Sequence, residues 1–230
     1  MAELVDALGL GSSGFIRGGS SPLIDIQDTM DFILEDKIRD ISLCDKLIDF
    51  FHNSDFSKTR REPGQTTTGL DLGTKKSTDL TVYPFEKHLA PLVEEYLEHL
   101  FVVGKKYAEK YPVCNMYGPW GVAESINIQH YKPGEGFYKW HCERCNAMHP
   151  YNNRHLVWMT YLNDIEEGGG TDFLHQDYTV KPKKGKTVIW PSDWTYTHKG
   201  QVAPNEDKYI ITGWFDYLDE TPQVGRGMGN

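Results

Sequence analysis

The chain has 230 residues, 39% of them hydrophobic and 25% charged, with a formal net charge of -9 at pH 7. That length suits one domain with appendages and is enough to bury a sizeable core, while no apolar run approaches the roughly 20 residues of a membrane-spanning helix. The acidic balance repels a phosphate backbone and disfavours nucleic acid as a partner, and four scattered cysteines point to a reducing, cytoplasmic setting rather than a disulfide framework.

Residues 1–23 are glycine- and serine-rich, and Glu3 and Asp6 stand where a signal peptide would carry positive charge. Residues 1–29 are therefore read as a disordered leader or as the product of a misplaced start. Gly19-Ser-Ser-Pro22 can be encoded by the T-loop consensus of a transfer RNA gene, and the first ten residues by the front half of a bacterial-type leucine transfer RNA, which makes Met30 the expected beginning. The catalytic domain is expected over 30–219, with a flexible tail over 220–230.

Phe32, Leu34 and Ile38 predict an opening strand and turn. Ser42-Leu-Cys-Asp45 has the form of a capping box, leading into Leu43, Leu47, Ile48 and Phe51 at helical spacing and a helix that ends near Asn53. Residues 54–80 are polar, with Pro63, Gly64 and a threonine run, and predict a long loop holding one short strand. Phe85 to Lys110 carries Leu89, Leu92, Val93, Tyr96, Leu97, Leu100 and Phe101 on one face, an amphipathic helix with a break at Pro91 and a stop at Tyr111-Pro112. Beyond it the period changes from 3.6 to 2, and 125–131, 154–162, 171–174, 178–181, 186–190 and 208–217 each read as strands. Many short strands after two helices predict a mainly β fold with flanking helices, a β-sandwich or jelly roll. Lys181 to Lys186, with four lysines in six positions, is read as a solvated turn because it contains Pro182 and Gly185.

Chemistry concentrates at His141-Cys142-Glu143, with His198 downstream and Lys208 ten residues beyond it. Two imidazoles and one carboxylate are the donor set of a facial iron(II) site, with open positions on the opposite side. Strand alternation puts residues i and i+2 on one face, so His141 and Glu143 converge while Cys142 points away. H-x-E alone arises often by chance; the ordered companions give it weight. Cys142-x-x-Cys145 with His149 is half a zinc site, and with no second ligand pair in sight a structural zinc is not expected.

Three stretches, INIQHYKPGEGFYKWHCE, RHLVWMTYLNDIEEGGGTDF and VKPKKGKTVIWPSDWTYTHKGQVAPNEDKYIITGWF, resemble the Fe(II)/2-oxoglutarate dioxygenases, specifically the prolyl 4-hydroxylase-like branch with its bacteriophage and bacterial members. The resemblance implies a double-stranded β-helix of the cupin-like jelly-roll type. It makes His141, Glu143 and His198 the iron ligands and catalytic residues. It makes Lys208 the cation for the distal carboxylate of 2-oxoglutarate, with Thr212 on the same strand face and Tyr131 and Tyr161 as hydroxyl donors to that cosubstrate. Tyr138, Arg154 and Trp214 match positions that face the substrate. The family usually has H-x-D, so Glu143, one methylene longer, is a departure; because a carboxylate is present, a halogenase is not expected.

The implied cofactors are Fe(II), 2-oxoglutarate and dioxygen, with ascorbate as an optional reductant, and the implied setting is the cytoplasm of a bacterium or a phage-infected host. The first reading is a hydroxylase of a peptidyl proline or similar side chain that converts 2-oxoglutarate to succinate. The same chemistry on a free amino acid or small metabolite, and a non-catalytic metal-binding jelly roll, stay open beside it. Residues 60–78 and 142–153 are candidate closing loops.

Overall fold

A computed structural model of the chain describes residues 32–84 and 91–218. The expected leader and tail, and the predicted first turns of the long helix, lie outside them. Strand β1 (Leu34–Lys37) leads into helix α1 (Ser42–Asn53), which buries Leu43, Cys44, Leu47 and Phe51. The capping box is corrected: Ser42 is already helical, and the Asp40 carboxylate accepts from the Ser42 N–H at 2.9 Å.

Residues 54–80 hold more structure than the expected loop. The Ser54 hydroxyl accepts from the Ser57 N–H at 3.1 Å and caps a short helix α2 (Asp55–Arg60), followed by β2 (Arg61–Pro63) and, after a loop, β3 (Thr78–Val82). Helix α2 buries only Ser57, so no apolar periodicity announces it. Helix α3 (Pro91–Lys110) has the expected amphipathic face and buries Val93, Tyr96, Leu97, Leu100, Val103 and Tyr107.

The strands β4 (Trp120–Gly121), β5 (Ile126–Tyr131), β6 (Arg154–Tyr161), β7 (Thr171–Phe173), β8 (Tyr178–Val180), β9 (Lys186–Pro191), β10 (His198–Gly200) and β11 (Lys208–Tyr217) follow. The larger sheet runs β1-β9-β6-β11-β5-β3-β2, with β4 on the far end of β11, and the smaller runs β10-β7-β8. Every described pairing is antiparallel, and together the sheets form the expected double-stranded β-helix. One core packs the helices against the back of the large sheet through Leu47, Phe51, Tyr96, Leu100, Trp120, Trp158, Ile211 and Phe215. A second fills the space between the sheets with Val157, Met159, Tyr161, Phe173, Val188, Trp190 and Ile210.

Strand β11 divides these roles by alternation. Ile211 and Phe215 enter the helix-side core, while Lys208, Ile210, Thr212 and Trp214 face a cavity inside the barrel. Its neighbour β6 carries an irregularity: Phe215 pairs with Leu156 but Asp216 pairs with Arg154, so His155 is the extra residue of a bulge. The bulge turns Arg154 onto the cavity side with Val157. No helix among the described residues is long and apolar enough to cross a membrane. The lysine-rich turn between β8 and β9 is on the surface as expected, and Lys183, Lys184 and Lys186 pair with Asp164, Asp45 and Glu35.

Candidate metal centre and cosubstrate cavity

His141 and His198 come together through a two-residue antiparallel bridge in which each backbone N–H donates to the other's carbonyl, at 2.9 and 2.8 Å. His198 opens β10. Glu143 lies beyond the bridge, tied down where its N–H and that of Arg144 both donate to Ser192 O, at 3.2 and 2.9 Å. The i, i+2 convergence expected from a strand is thus achieved by a single bridge and the turn that follows it. One ligand atom from each of His141, Glu143 and His198 falls within 4.8 Å of the others, the single such cluster among the described residues.

Hydrogen bonding orients all three donors. His141 Nδ1 lies 3.0 Å from Lys139 O, and His198 Nδ1 lies 2.9 Å from Tyr196 O. A carbonyl only accepts, so both Nδ1 atoms carry the proton and both Nε2 atoms present lone pairs to the centre. The Nε2 atoms sit 3.5 and 3.6 Å from Glu143 Oε1. The other carboxylate oxygen, Oε2, accepts from Trp214 Nε1 at 3.0 Å and Arg154 Nη1 at 3.3 Å. Burial alone would raise the Glu143 carboxyl, but the two histidines hold it well below the usual range. Burial, and then the charge of a neighbouring His141, press His198 downward and favour its neutral ring. Two imidazole lone pairs and one ionised oxygen, converging from one side, suit a divalent iron. Phe137 stacks on His141 at 3.8 Å and 14°, and Trp190 meets His198 edge-on at 5.1 Å, so aromatic rings wall the centre.

The triad lines a cavity of about 530 Å³ that also receives Lys208, Thr212, Tyr131, Arg154 and Trp214. Lys208 is 5% exposed. Its ammonium lies near the rings of Tyr131 and Tyr161, 5.5 and 5.6 Å from their centroids, and beside Gly200 of the strand that carries His198. No carboxylate among the described residues pairs with it, and burial pushes it down to about 8. A buried cation without an anion is costly, and a ligand carboxylate is the group that would offset that cost. The Thr212 hydroxyl donates to Trp158 O at 2.8 Å, which leaves its oxygen free only to accept. The Tyr131 hydroxyl donates to Gln129 at 2.6 Å. Tyr161 is fully buried and does not line the cavity; its hydroxyl lies 2.8 Å from that of Thr171, which does. Tyr138 does not line the cavity; its hydroxyl donates to Gly134 O at 3.2 Å.

Several neighbours carried no sequence signal. Glu124 grips Arg154 with both oxygens, at 2.7 Å each. Asp216 is buried beside them, and burial together with the Glu124 charge raises it well above the usual carboxylate range. Lys75, read as part of a polar loop, is 4% exposed and pairs with Asp79 at 2.5 Å on the cavity wall, where Ser77 also bonds Asp79. Cys142 and Cys145 hold no such cluster: Cys142 Sγ reaches Arg144 O at 3.8 Å, Cys145 is exposed, and His149 joins no metal-ligand set among the described residues.

Against this geometry, residues 126–216 match the sequence profile of the 2OG-Fe(II) oxygenase superfamily. Human prolyl 4-hydroxylase subunit alpha-1 is 26% identical over 106 residues, 40% of this chain but 20% of that protein's length. Among solved structures, a Pseudomonas putida prolyl-4-hydroxylase shares the fold with a TM-score of 0.60 at 15% identity, over 83% of this chain and 95% of that one. The viral collagen prolyl hydroxylase of Paramecium bursaria Chlorella virus-1, solved as its 2OG complex, gives 0.57 at 20% identity over 82% and 98%. A Trichoplax adhaerens prolyl hydroxylase, solved with a hypoxia-inducible factor peptide fragment, gives 0.61 at 16% identity over 83% and 86%.

Proposed function

We propose that this chain, which matches the 2OG-Fe(II) oxygenase superfamily over residues 126–216, is such an oxygenase and hydroxylates a peptidyl proline or a similar side chain while converting 2-oxoglutarate to succinate. The observation that carries the reading is the two-anchor cavity, with a His-Glu-His face at one place and at another a buried lysine that has no carboxylate partner among the described residues. The prolyl hydroxylase relatives, one of them holding a peptide, support the substrate class.

Bound iron(II), 2-oxoglutarate and dioxygen supply the oxidising chemistry, releasing succinate and carbon dioxide. His141, His198 and Glu143 would hold the metal through Nε2, Nε2 and Oε1, and the backbone acceptors on both Nδ1 atoms keep the rings turned toward that point. Lys208 takes the distal carboxylate as a charge-assisted partner. Tyr131 and Thr212 shape the same wall, with their hydroxyl protons held by Gln129 Oε1 and Trp158 O. Phe137 and Trp190 pack aromatic rings against the His141 and His198 imidazoles. Trp214 lines the substrate side of the cavity, and Arg154 backs it with its guanidinium over the indole ring.

The test is succinate release under iron and 2-oxoglutarate with a panel of proline-containing peptides and free amino acids. Peptide-dependent release supports the proposal. Release driven by a free amino acid alone moves the substrate to a small metabolite. An anaerobic iron titration that yields no visible charge-transfer band with 2-oxoglutarate, in a chain that also releases no succinate, leaves a non-catalytic jelly roll.

A further inference from the structure

The H-x-D usual for this family is H-x-E here, and the surroundings of the longer carboxylate are specific to it. We propose that Glu124, Arg154 and Trp214 form a cradle built for glutamate at position 143, so that the site holds its metal better with Glu143 than with the shorter aspartate. The inference rests on the metal-site reading above.

Glu143 divides its two oxygens between two tasks. Oε1 faces both imidazoles at 3.5 and 3.6 Å, and Oε2 receives the Trp214 indole N–H at 3.0 Å and Arg154 Nη1 at 3.3 Å. The same guanidinium nitrogen also donates to the Glu143 backbone carbonyl at 3.1 Å, so Arg154 engages main chain and side chain of one residue. Removing one methylene withdraws a carboxylate by about 1.5 Å, one carbon–carbon bond. Contacts of 3.0 and 3.3 Å stretched by that much leave the hydrogen-bond range. An aspartate would serve the imidazole side or the cradle side, but not both.

The cradle itself does not yield to follow a shorter side chain. Arg154 is 5% exposed and is fixed by two 2.7 Å bonds to Glu124. Its guanidinium lies 3.5 Å from the ring centre of Trp214 and 4.7 Å from that of Tyr151. Its backbone carbonyl accepts from Ser192 Oγ at 2.6 Å and from the Arg144 guanidinium. The bulge at His155 determines the face on which Arg154 emerges. Glu124, Arg154 and Trp214 therefore act on the metal through Glu143, as positioning residues. A fork-shaped guanidinium is needed to bridge Glu124 and Glu143 at once, a task that a lysine ammonium does not perform.

The experiment is an anaerobic titration of the full chain with Co(II), followed by visible ligand-field absorption and calorimetry without substrate, on wild type, E143D, R154K, E124Q, W214F and the double variant W214F/E143D. Thermal melts confirm that each variant is folded. Supporting partners of this kind alter metal affinity by about 10–100-fold, so E143D is expected to bind about tenfold or more weakly with an altered Co(II) spectrum. R154K, E124Q and W214F are expected to weaken binding in the same direction. In the W214F background the penalty for E143D shrinks, because part of what the aspartate loses is already gone. E143D binding as tightly as wild type with an unchanged spectrum overturns the cradle, as does an E143D penalty that is the same with and without Trp214. Wild type failing to bind Co(II) or Fe(II) at all overturns the metal-site reading itself, and the two failures are thereby told apart.

Discussion

Lys208→Met is expected to make the protein more stable while removing its cosubstrate binding. Lys208 is 5% exposed and has no carboxylate partner among the described residues, and burial takes its ammonium from 10.5 down to about 8. At about 1.4 kcal/mol per pH unit, that depression corresponds to roughly 3 kcal/mol of destabilisation at neutral pH. The sign follows from proton counts. The unfolded chain keeps this proton up to 10.5 and the folded chain only to about 8, so between those values the unfolded state binds more protons and stability rises with pH. Below about 8 both states are protonated and the full cost applies. Methionine fills a similar volume beside Tyr131 and Tyr161 without a charge, so urea denaturation at neutral pH is expected to show a gain of up to roughly 3 kcal/mol. The gain should fade toward pH 10.5 as wild type recovers. Calorimetry with 2-oxoglutarate is expected to show no binding by the variant. In wild type, affinity should fall about tenfold per pH unit above about 8, where the cation is lost. A variant less stable than wild type at neutral pH, or one that binds 2-oxoglutarate unchanged, refutes the assignment of Lys208 as a buried cation awaiting an anion.

Acid is expected to act partly through His155, which lies 3.0 Å from Cys114 O and which burial lowers from 6.5 to about 4. The unfolded chain takes up this proton below 6.5 while the folded one refuses it until about 4, so stability falls across that window by roughly 2–3 kcal/mol. Urea titrations over the window should show a shallower loss for His155→Gln, and equal slopes would assign the acid sensitivity elsewhere. Gly213→Ala places a Cβ 2.5 Å from Cζ2 of the fully buried Trp158. It is expected to cost about 1–3 kcal/mol by overpacking, read by chemical denaturation; unchanged stability would mean that β11 and β6 separate freely there.

Where the sequence was legible, periodicity was long enough to be read. Strands β5, β6, β9 and β11 span six to ten residues with clear alternation or apolar runs, and α3 carries its stripe for 20 residues. Strands β4 and β10, with two and three residues, and α2, with one buried serine, are too short or too polar to show a period. The grouping of His141, Glu143 and His198 was legible because H-x-E and its distant histidine and lysine come in a fixed order, and Lys208 and Thr212 share a face by simple parity. Arg154 and Glu124 were not legible as a pair. Parity from Val157 alone puts Arg154 on the wrong face, and only the bulge at His155, a three-dimensional event, brings it round. Glu124 comes from the connection before β5 and joins Arg154 across 30 positions of sequence.

The same parity makes β11 the element on which stability and chemistry depend together. Its pairing with β5 on one side and β6 on the other fixes one register. In that register Ile211 and Phe215 fill the helix-side core, while Lys208, Thr212 and Trp214 reach the cavity. A slip of one residue would send Tyr209 inward in place of Lys208 and expel Phe215 from its contact with Trp120, 5.0 Å between ring centres. The core contacts that a slip would forfeit are therefore what hold the lysine, and the indole that orients Glu143, at their stations.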